Sequence, residues 1–406
     1  MSRVASIAAI VLGCSVVGGI ALADEAPKNS PAAGKLLQAA DAGRQSKNYG
    51  ECVAKSKEAL ALASKNAYDT FLSNSLLMAC YISQNNTSEA ATYAEQVVDS
   101  PYEQAAAKPA ILKFLMSYAY SQKSYDKAIS YGERVRAAGD TSEDTAILIS
   151  QSYFLLGKYK EAMAGMDAII VRAEQAGKKP SEKGLNLVWR CALNLKDQAA
   201  ASKTVEKLIL HYPKPEYWLN AMANILENRE GNDDRIKLMT YRLMNEVGIL
   251  KRGVDYRDMA LIALDRGNPG EAQSVMEQAF AKNVFTDPKE KESNQRLLDS
   301  AKRKAAADKA GLANDEKAAN AAKTGDPLVE LGGAYLGYGV PDKALAMLTA
   351  GIAKGGLKYP DEAYIMLGIA HERTKNNAEA IKAFNKATTD PQYARLAKLW
   401  ALEART

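Results

Sequence analysis

Few residues in this chain have the types and spacing that a catalytic centre requires. Its 406 residues include two histidines, His211 and His371. His371 stands at a position that packs a helical hairpin, and His211 precedes Tyr212-Pro213 at a helix end, so we interpret both side chains as structural. The sequence has no nucleophile elbow, no Walker loop and no His-Glu-x-x-His motif. We therefore predict that the protein is not an enzyme and that it holds no cofactor or metal ion.

The clearest pattern in the chain is a helical hairpin that ends at Pro391. Its first helix carries Tyr364, Leu367, Gly368 and His371, and its second helix carries Ala380, Phe384 and Ala387. Gly368 and Ala380 are small where two antiparallel helices must approach closely, and a proline stops the second helix. This order of residues resembles the tetratricopeptide repeat, which implies an all-α fold: a right-handed superhelix of antiparallel hairpins.

The same register recurs along the chain, where a first-helix residue, the anchor, precedes a small residue by sixteen positions. Eight further pairs follow this rule: Leu36–Cys52, Asn74–Ala90, Leu112–Ala128, Ala146–Ala162, Leu185–Ala201, Trp218–Asp234, Tyr256–Ala272 and Leu328–Ala344. Trp218–Asp234 is the poorest match. Successive anchors are 33 to 39 residues apart, except Tyr256 and Leu328, which are separated by 72. A chain built from such units grows by stacking and needs no single core.

The double interval contains the segment 287–326, which is rich in alanine and densely charged. Its apolar residues are too few and too small to bury a normal hairpin face, and Lys302-Arg303-Lys304 is nearly balanced by acidic neighbours. Two interpretations remain: a solvated pair of helices stabilised by propensity and local ion pairs, or a flexible hinge. The chain is thus predicted to contain an amino-terminal solenoid at 24–286, this segment, and a carboxy-terminal repeat module at 327–406.

The first 23 residues have the features of a cleaved export signal. An apolar run ends in Ala21 and Ala23, which fit a signal-peptidase pocket and precede the polar Asp24. The alternatives are a retained membrane anchor and lipidation of Cys14, although Leu12 stands where a lipobox carries a small residue. No other stretch is apolar enough to span a bilayer. We expect a periplasmic protein that begins at Asp24 and has no stable membrane span.

Three cysteines remain after such processing. Cys52 falls on the second helix of the first hairpin and Cys80 on the first helix of the next, and these two helices should pack together. A Cys52–Cys80 disulfide is therefore geometrically reasonable in an oxidising compartment, with Cys191 free. The alternative is that all three are small buried hydrophobic residues. No Cys-x-x-Cys pair is present, which argues against a zinc or redox motif.

The tetratricopeptide resemblance also implies a binding surface. In such superhelices the first helices line the concave face, and the residues one, five and eight places after each anchor project into it. These residues are Lys113, Ser117, Tyr120, Ile147, Gln151, Phe154, Asn186, Arg190, Leu193 and Arg257. They lack the regular Lys/Asn/Arg set of carboxylate-clamp repeats and are interpreted as a groove for an extended or helical peptide. The alternative is that several of the apolar ones pack against neighbouring hairpins.

A narrower resemblance covers roughly Leu328 to Trp400. It rests on the stretches Ala353-Lys354-Gly355-Gly356-Leu357-Lys358-Tyr359-Pro360, Glu362-Ala363-Tyr364, Leu367-Gly368-Ile369-Ala370 and Ala394-Arg395-Leu396-Ala397-Lys398-Leu399-Trp400. This part is similar to exported tetratricopeptide proteins encoded beside ExbB, ExbD and TonB components in Gram-negative bacteria. The resemblance implies an accessory role in uptake through TonB-dependent receptors, with those components or a receptor as partners. The turn Lys375-Asn376-Asn377-Ala378 departs from the Gly-Lys-Tyr type that is common in the family.

The net charge of the chain argues against nucleic acid as its partner. The net charge is +5, and removal of Arg3 with the leader leaves +4, which is too mild for electrostatic capture of nucleic acid. Two functions remain open at this stage. One is a periplasmic scaffold for TonB-linked transport, and the other is an adaptor for envelope assembly or for cell-wall enzymes.

Overall fold

A computed structural model describes residues 28–227 and 233–406, and within these ranges the chain is made of helices and short connections, with no β-strand. The predicted leader lies outside the described residues. The helices fall into two compact units, unit 1 up to Gln198 and unit 2 from Ala199. The predicted all-α architecture of antiparallel hairpins is confirmed. The hand of the predicted superhelix stays a prediction.

Unit 1 contains four hairpins and one further helix. Its helices are α1 (Pro31–Gln45), α2 (Tyr49–Ala61), α3 (Ala67–Ser83), α4 (Thr87–Val98), α5 (Lys108–Ser121), α6 (Tyr125–Ala137), α7 (Glu143–Leu155), α8 (Tyr159–Gln175) and α9 (Glu182–Asn194). Each helix packs on the next one in the chain, and the first helices α5, α7 and α9 also contact each other in that order. The odd-numbered helices therefore line one side of this unit.

Unit 2 adds a long helix to the hairpin plan. Its helices are α10 (Gln198–His211), α11 (Pro215–Glu227), α12 (Asp234–Glu246), α13 (Gly253–Asp265), α14 (Pro269–Ala281), α15 (Pro288–Ala321), α16 (Asp326–Gly337), α17 (Pro341–Lys354), α18 (Pro360–Arg373), α19 (Asn377–Phe384) and α20 (Pro391–Glu403). The last helix packs on α12, α18 and α19. Lys398 of α20 pairs with Glu206 of α10 at 2.6 Å, so the two ends of this unit are in contact.

The helices of a hairpin are joined by a recurring three-residue turn. Its central residue has a positive φ of 56° to 74° at Lys47, Asn85, Lys123, Gly157, Lys196, Gly267, Gly339 and Lys375. The N–H after this residue returns to the helix, as from Asn376 to the His371 carbonyl at 2.8 Å, which is a Schellman cap. Asn376 then starts the second helix, because its side chain accepts the Glu379 N–H. The turn at Lys375, which departs from the family in sequence, keeps the common geometry.

Small residues set how closely the helices of a hairpin approach. A Cβ added at Gly368 would lie 2.2 Å from the Phe384 ring, and one added at Gly332 would lie 2.6 Å from Leu348. Ala344 and Ala380, the small residues expected sixteen positions after an anchor, are completely buried. The register read from the sequence is therefore correct for these hairpins, whereas the poorest match, Trp218–Asp234, fails because Asp234 is exposed at the first position of α12.

The segment 287–326 is helical, as one of the two interpretations required. It forms the single 34-residue helix α15, however, and not a pair of helices. Leu298 and Leu312, together with small alanines, are buried on one of its faces, and the Tyr338 hydroxyl donates to the Ala305 carbonyl at 3.1 Å. Helix α14 packs directly on α16, so α15 is an insertion beside hairpins that would otherwise be consecutive. The boundaries at 287 and 327, taken as domain limits, stay a prediction.

The cysteine pairing is resolved by the fold. Cys52 of α2 and Cys80 of α3 form a disulfide with a Cα–Cα distance of 6.5 Å. Cys191 is a free, buried thiol, and its burial raises its pKa to about 11. The disulfide interpretation is confirmed, and both ends of the bond are fully buried between the first two hairpins.

Candidate partner-binding surface

The first helices of unit 1 present one face to the interior and another to solvent. The anchors Leu112, Ala146 and Leu185 are all buried. Five residues after two of these anchors, Ser117 and Arg190 are exposed, and the corresponding residue on α7 is half-buried. Because α5, α7 and α9 are in contact, the side chains at equivalent positions form rows across the unit.

The row eight residues after each of these anchors is an apolar ridge, formed by Tyr120, Phe154 and Leu193, and Ile82 holds the equivalent position on α3. The Tyr120 ring meets Tyr125 edge to face with 5.7 Å between centroids, and Phe154 meets Tyr159 in the same way at 5.2 Å. Both rings are half-buried, and the Leu193 side chain is 47% exposed. Ile82 on α3 was not among the predicted residues, although the same spacing applied to Asn74 finds it. The Tyr120 and Phe154 rings are thus each packed against a tyrosine of the following helix and remain partly exposed to solvent.

A cation lies beside this ridge. The Arg190 guanidinium sits over the Phe154 ring at 4.6 Å from its centroid, which joins α9 to α7 by a cation–π contact. In the part of the chain that the structure describes, no carboxylate lies within ion-pair distance of Arg190. The flat face of the guanidinium is used by Phe154, and Arg190 as a whole is exposed to solvent.

Lys113, in contrast, forms an ion pair within the protein. Its ammonium pairs with Asp140 at 2.8 Å, which ties α5 to the connection before α7. Desolvation opposes the charge on Asp140, but hydrogen bonds from Lys113, Thr145 and Ser142 outweigh it and lower the pKa of Asp140 to about 2. Lys113 therefore orders the edge of the surface, and its charge is largely compensated there.

The remaining predicted residues are spread over both units. Gln151 is half-buried on α7, and the Asn186 amide donates to the Glu182 carbonyl of its own helix at 3.0 Å. Arg257 is exposed on α13 of unit 2. The structure therefore brings together Lys113, Tyr120, Gln151, Phe154, Asn186 and Arg190 in unit 1. Their part in binding a partner stays a prediction.

Unit 2 contains a buried charge network that the sequence did not indicate. Glu362 of α18 accepts from Arg235 at 2.8 Å and from Arg266 at 3.3 Å, and Arg235 also stacks on the Tyr359 ring at 3.7 Å. Arg242 and Glu271 form a two-point pair at 2.7 and 2.6 Å. These partners are separated by 29 to 127 residues, so no local spacing could reveal them. A polar cavity of about 760 Å³ opens beside the network.

Within residues 28–227 and 233–406, no three acidic, histidine or cysteine side chains gather as a metal site would require. Of the helices described, none is both long and apolar enough to cross a bilayer.

Residues 330–394 match the tetratricopeptide repeat family. This match covers most of α16 and all of α17 to α19, and the described chain consists throughout of antiparallel helical hairpins and the long helix α15. A tetratricopeptide repeat protein from Parabacteroides merdae is 12% identical, with 84% of this chain and 99% of that chain covered and a TM-score of 0.33.

Two other solved structures are similar. The apo form of RapI is 14% identical over 67% of this chain and 98% of its own, with a TM-score of 0.30. Yeast Tom70 is 14% identical over 92% and 96%, with a TM-score of 0.22. Among curated protein sequences, none matches this chain significantly.

Proposed function

We propose that this protein is a non-catalytic interaction scaffold that captures a peptide segment of a partner protein on the surface formed by α5, α7 and α9. The observation that carries the proposal is the ridge of Tyr120, Phe154 and Leu193 with Arg190 stacked beside it. Half-exposed aromatic rings and an exposed arginine are the side chains in which binding energy concentrates at protein interfaces.

The spacing of the ridge suggests the form of the captured segment. Packed helices are about 8–10 Å apart, so successive ridge side chains are separated by about that distance. A peptide in the extended polyproline II conformation advances about 3.1 Å per residue with three residues per turn, so every third residue lies on the same face and meets the next ridge position. The expected ligand has apolar side chains at this interval and an acidic group opposite Arg190, whose charge is not balanced by a carboxylate among the residues described.

The proposed compartment is the periplasm. It is supported by the leader-like first 23 residues and by the Cys52–Cys80 disulfide, since such bonds persist in oxidising compartments. The resemblance of Leu328 to Trp400 supports a role beside the TonB system, with ExbB, ExbD, TonB or a TonB-dependent receptor as partner. If the mature chain begins at Asp24, terminal sequencing of the exported protein will find that residue. An acylated Cys14 or an intact leader would contradict this processing.

Crosslinking and capture from intact envelopes test the scaffold. Tyr120→Ala, Phe154→Ala and Arg190→Ala should each weaken capture by about 2 kcal/mol, or roughly thirty-fold, without change in helical content. Val171→Ala on α8 and Arg136→Ala on α6 are matched controls, since one removes a 46%-exposed apolar residue and the other an exposed arginine of a second helix. Equal losses in the controls, or full capture by the ridge variants, would place binding elsewhere.

Growth tests the transport role separately. A deletion strain should grow poorly on a nutrient that enters through a TonB-dependent receptor, and the wild-type gene should restore growth. Normal growth, in a strain without a second copy, would remove the transport role. Capture of cell-wall enzymes or of assembly factors in the crosslinking experiment would favour the envelope-adaptor alternative.

A further inference from the structure

The first hairpin of unit 1 has an unusually small apolar core. Among the fully buried apolar residues of α1 and α2, Leu37 is the one large aliphatic side chain, beside Ala33, Ala40, Ala59 and the disulfide half Cys52. Helix α5 alone buries five large side chains: Ile111, Leu112, Phe114, Leu115 and Met116. Since burial of apolar area is the main force that docks one helix on another, α1 and α2 are held more weakly than the hairpins behind them.

Polar contacts do not make up this difference. The buried Asp69 of α3 accepts the Ser30 N–H at 3.2 Å, and Asn66 donates to the Lys28 carbonyl at 2.9 Å, both at the start of α1. Farther along, the Ser56 hydroxyl is buried in α2 without a hydrogen-bond partner among the residues described. A buried hydroxyl without a partner opposes docking. Val53 and Leu60 of α2 pack against the apolar cluster behind them, but both side chains are only partly buried. The body of α2 therefore needs a further link to α3.

The disulfide supplies that link. It joins Cys52, near the start of α2, to Cys80 in the last turn of α3, across 28 residues of sequence. Closing a loop of this length lowers the entropy of the undocked chain, in which α1 and α2 would otherwise move freely. Leu72 and Leu76 of α3 pack against this hairpin and would be uncovered if it left.

We propose that oxidation of Cys52 and Cys80 is the step that docks α1 and α2 onto α3, so that the first hairpin of unit 1 is a redox-conditional element. The two thiols lose two protons and two electrons as the S–S bond forms, and an exchanging disulfide of a thiol oxidant accepts them and becomes a dithiol. In the reduced chain unit 1 begins effectively at α3, with its apolar face uncovered. In the oxidised chain the hairpin covers that face.

The burial of both cysteines determines how long the oxidised state lasts. Cys52 and Cys80 have no exposed surface, so a reductant reaches the bond only after the hairpin opens. The remaining thiol, Cys191, is buried, and its raised pKa keeps it protonated and unreactive toward the disulfide. The oxidised state therefore persists once the hairpin has docked, whereas the undocked hairpin of the reduced chain leaves both thiols accessible to a thiol oxidant.

Hydrogen exchange of the full chain, read by mass spectrometry, tests the proposal. The oxidised protein is compared with protein unfolded and refolded in dithiothreitol, and with the Cys52→Ala/Cys80→Ala variant. The loop length predicts that amides of α1 and α2 lose protection by about a hundred- to a thousand-fold, while those of α5 to α9 keep theirs. Cys191→Ala, measured in both redox states, is the control for other thiol effects and should behave as the wild type does.

Two results would overturn the proposal. Equal protection of α1 and α2 in oxidised and reduced protein would show that the hairpin docks without the bond. Loss of protection throughout unit 1 would show that the bond maintains the whole unit and not one hairpin. If the alanine variant fails to fold, the reduced wild-type chain still decides between these outcomes.

Discussion

Helices α18 and α19 approach each other closely at Gly368, and a glycine-to-alanine substitution there should have the opposite effect on stability from the same substitution at Gly311. In Gly368→Ala the new Cβ would lie 2.2, 2.5 and 2.6 Å from Cε1, Cδ1 and Cζ of the Phe384 ring. Phe384 is stacked on Trp400 with 5.8 Å between centroids, and both rings are about 1% exposed. The ring therefore has no free space into which it could move, and the helices α18 and α19 must separate.

The magnitude follows from two opposing terms. Overpacking of a dense core costs about 1–3 kcal/mol. Replacing glycine by alanine within a helix stabilises the folded protein by about 1 kcal/mol. Contacts of 2.2–2.6 Å with a confined ring place Gly368→Ala in the upper part of the overpacking range, so its net destabilisation is roughly 1–2 kcal/mol. A leucine at this position would cost more because its extra atoms meet the same ring.

Gly311→Ala in α15 is the matched control. Its added Cβ meets only the end of the flexible Asp315 side chain, at 3.3 Å, so the helix term acts alone and the variant should be about 1 kcal/mol more stable. Urea unfolding followed by circular dichroism measures both variants. Phe384→Leu should cost less in the Gly368→Ala background than in the wild type, because the clash disappears with the ring. An equal or greater stability of Gly368→Ala would refute the close-packing argument.

Three further predictions concern charged groups. Glu271→Leu leaves the buried Arg242 without its carboxylate and should cost roughly 3–5 kcal/mol in urea unfolding, whereas adding Arg242→Met should recover most of the loss. The pKa of Asp140 falls from 3.8 to about 2, so its stabilisation of roughly 2 kcal/mol is present above pH 4 and disappears toward pH 2. Asp140→Asn should therefore lose stability at pH 6 and match the wild type at pH 2, and a pH-independent difference would contradict this. Burial raises the pKa of Glu372, and the nearby carboxylates of Glu403 and Glu246 raise it further. The stability that Glu372 contributes is therefore complete below pH 4.5, where its carboxyl group is protonated, and it is lost as the pH rises. Glu372→Gln needs no proton and should be more stable than the wild type at pH 8 by about 1 kcal/mol or more, but equal to it at pH 4, as thermal unfolding at both values will show.

Local sequence was sufficient for the hairpins because their requirements are local. Two antiparallel helices that cross closely need a small residue on each, and the sixteen-residue interval between anchor and small residue follows from helix length plus a fixed turn. The turn itself tolerates lysine or asparagine at its left-handed position, as Lys375 and Asn85 show. The change of sequence at Lys375 was therefore no sign of a change in structure.

The same local reasoning reached part of the candidate surface. The spacing from the anchors found Tyr120, Phe154 and Arg190, since residues on one helix face recur at known intervals. It could not tell that Lys113 is paired with Asp140 or that Arg190 stacks on Phe154, because both contacts join different helices. The sequence offered the Cys52–Cys80 bond as one of two possibilities, and the distance between α2 and α3 decided it.

What the sequence determined by itself is the order, register and turns of the hairpins, because each depends on residues within about forty positions of one another. Only the tertiary structure decided that residues 288–321 form one continuous helix. Alanine-rich, charged sequence favours helix but does not specify its partners, and it is the packing of α15 on α14 and α16 that makes one continuous helix of it. Tertiary structure likewise decided the pairing of Glu362 with Arg235, since charges separated by 127 residues meet only when the chain has folded.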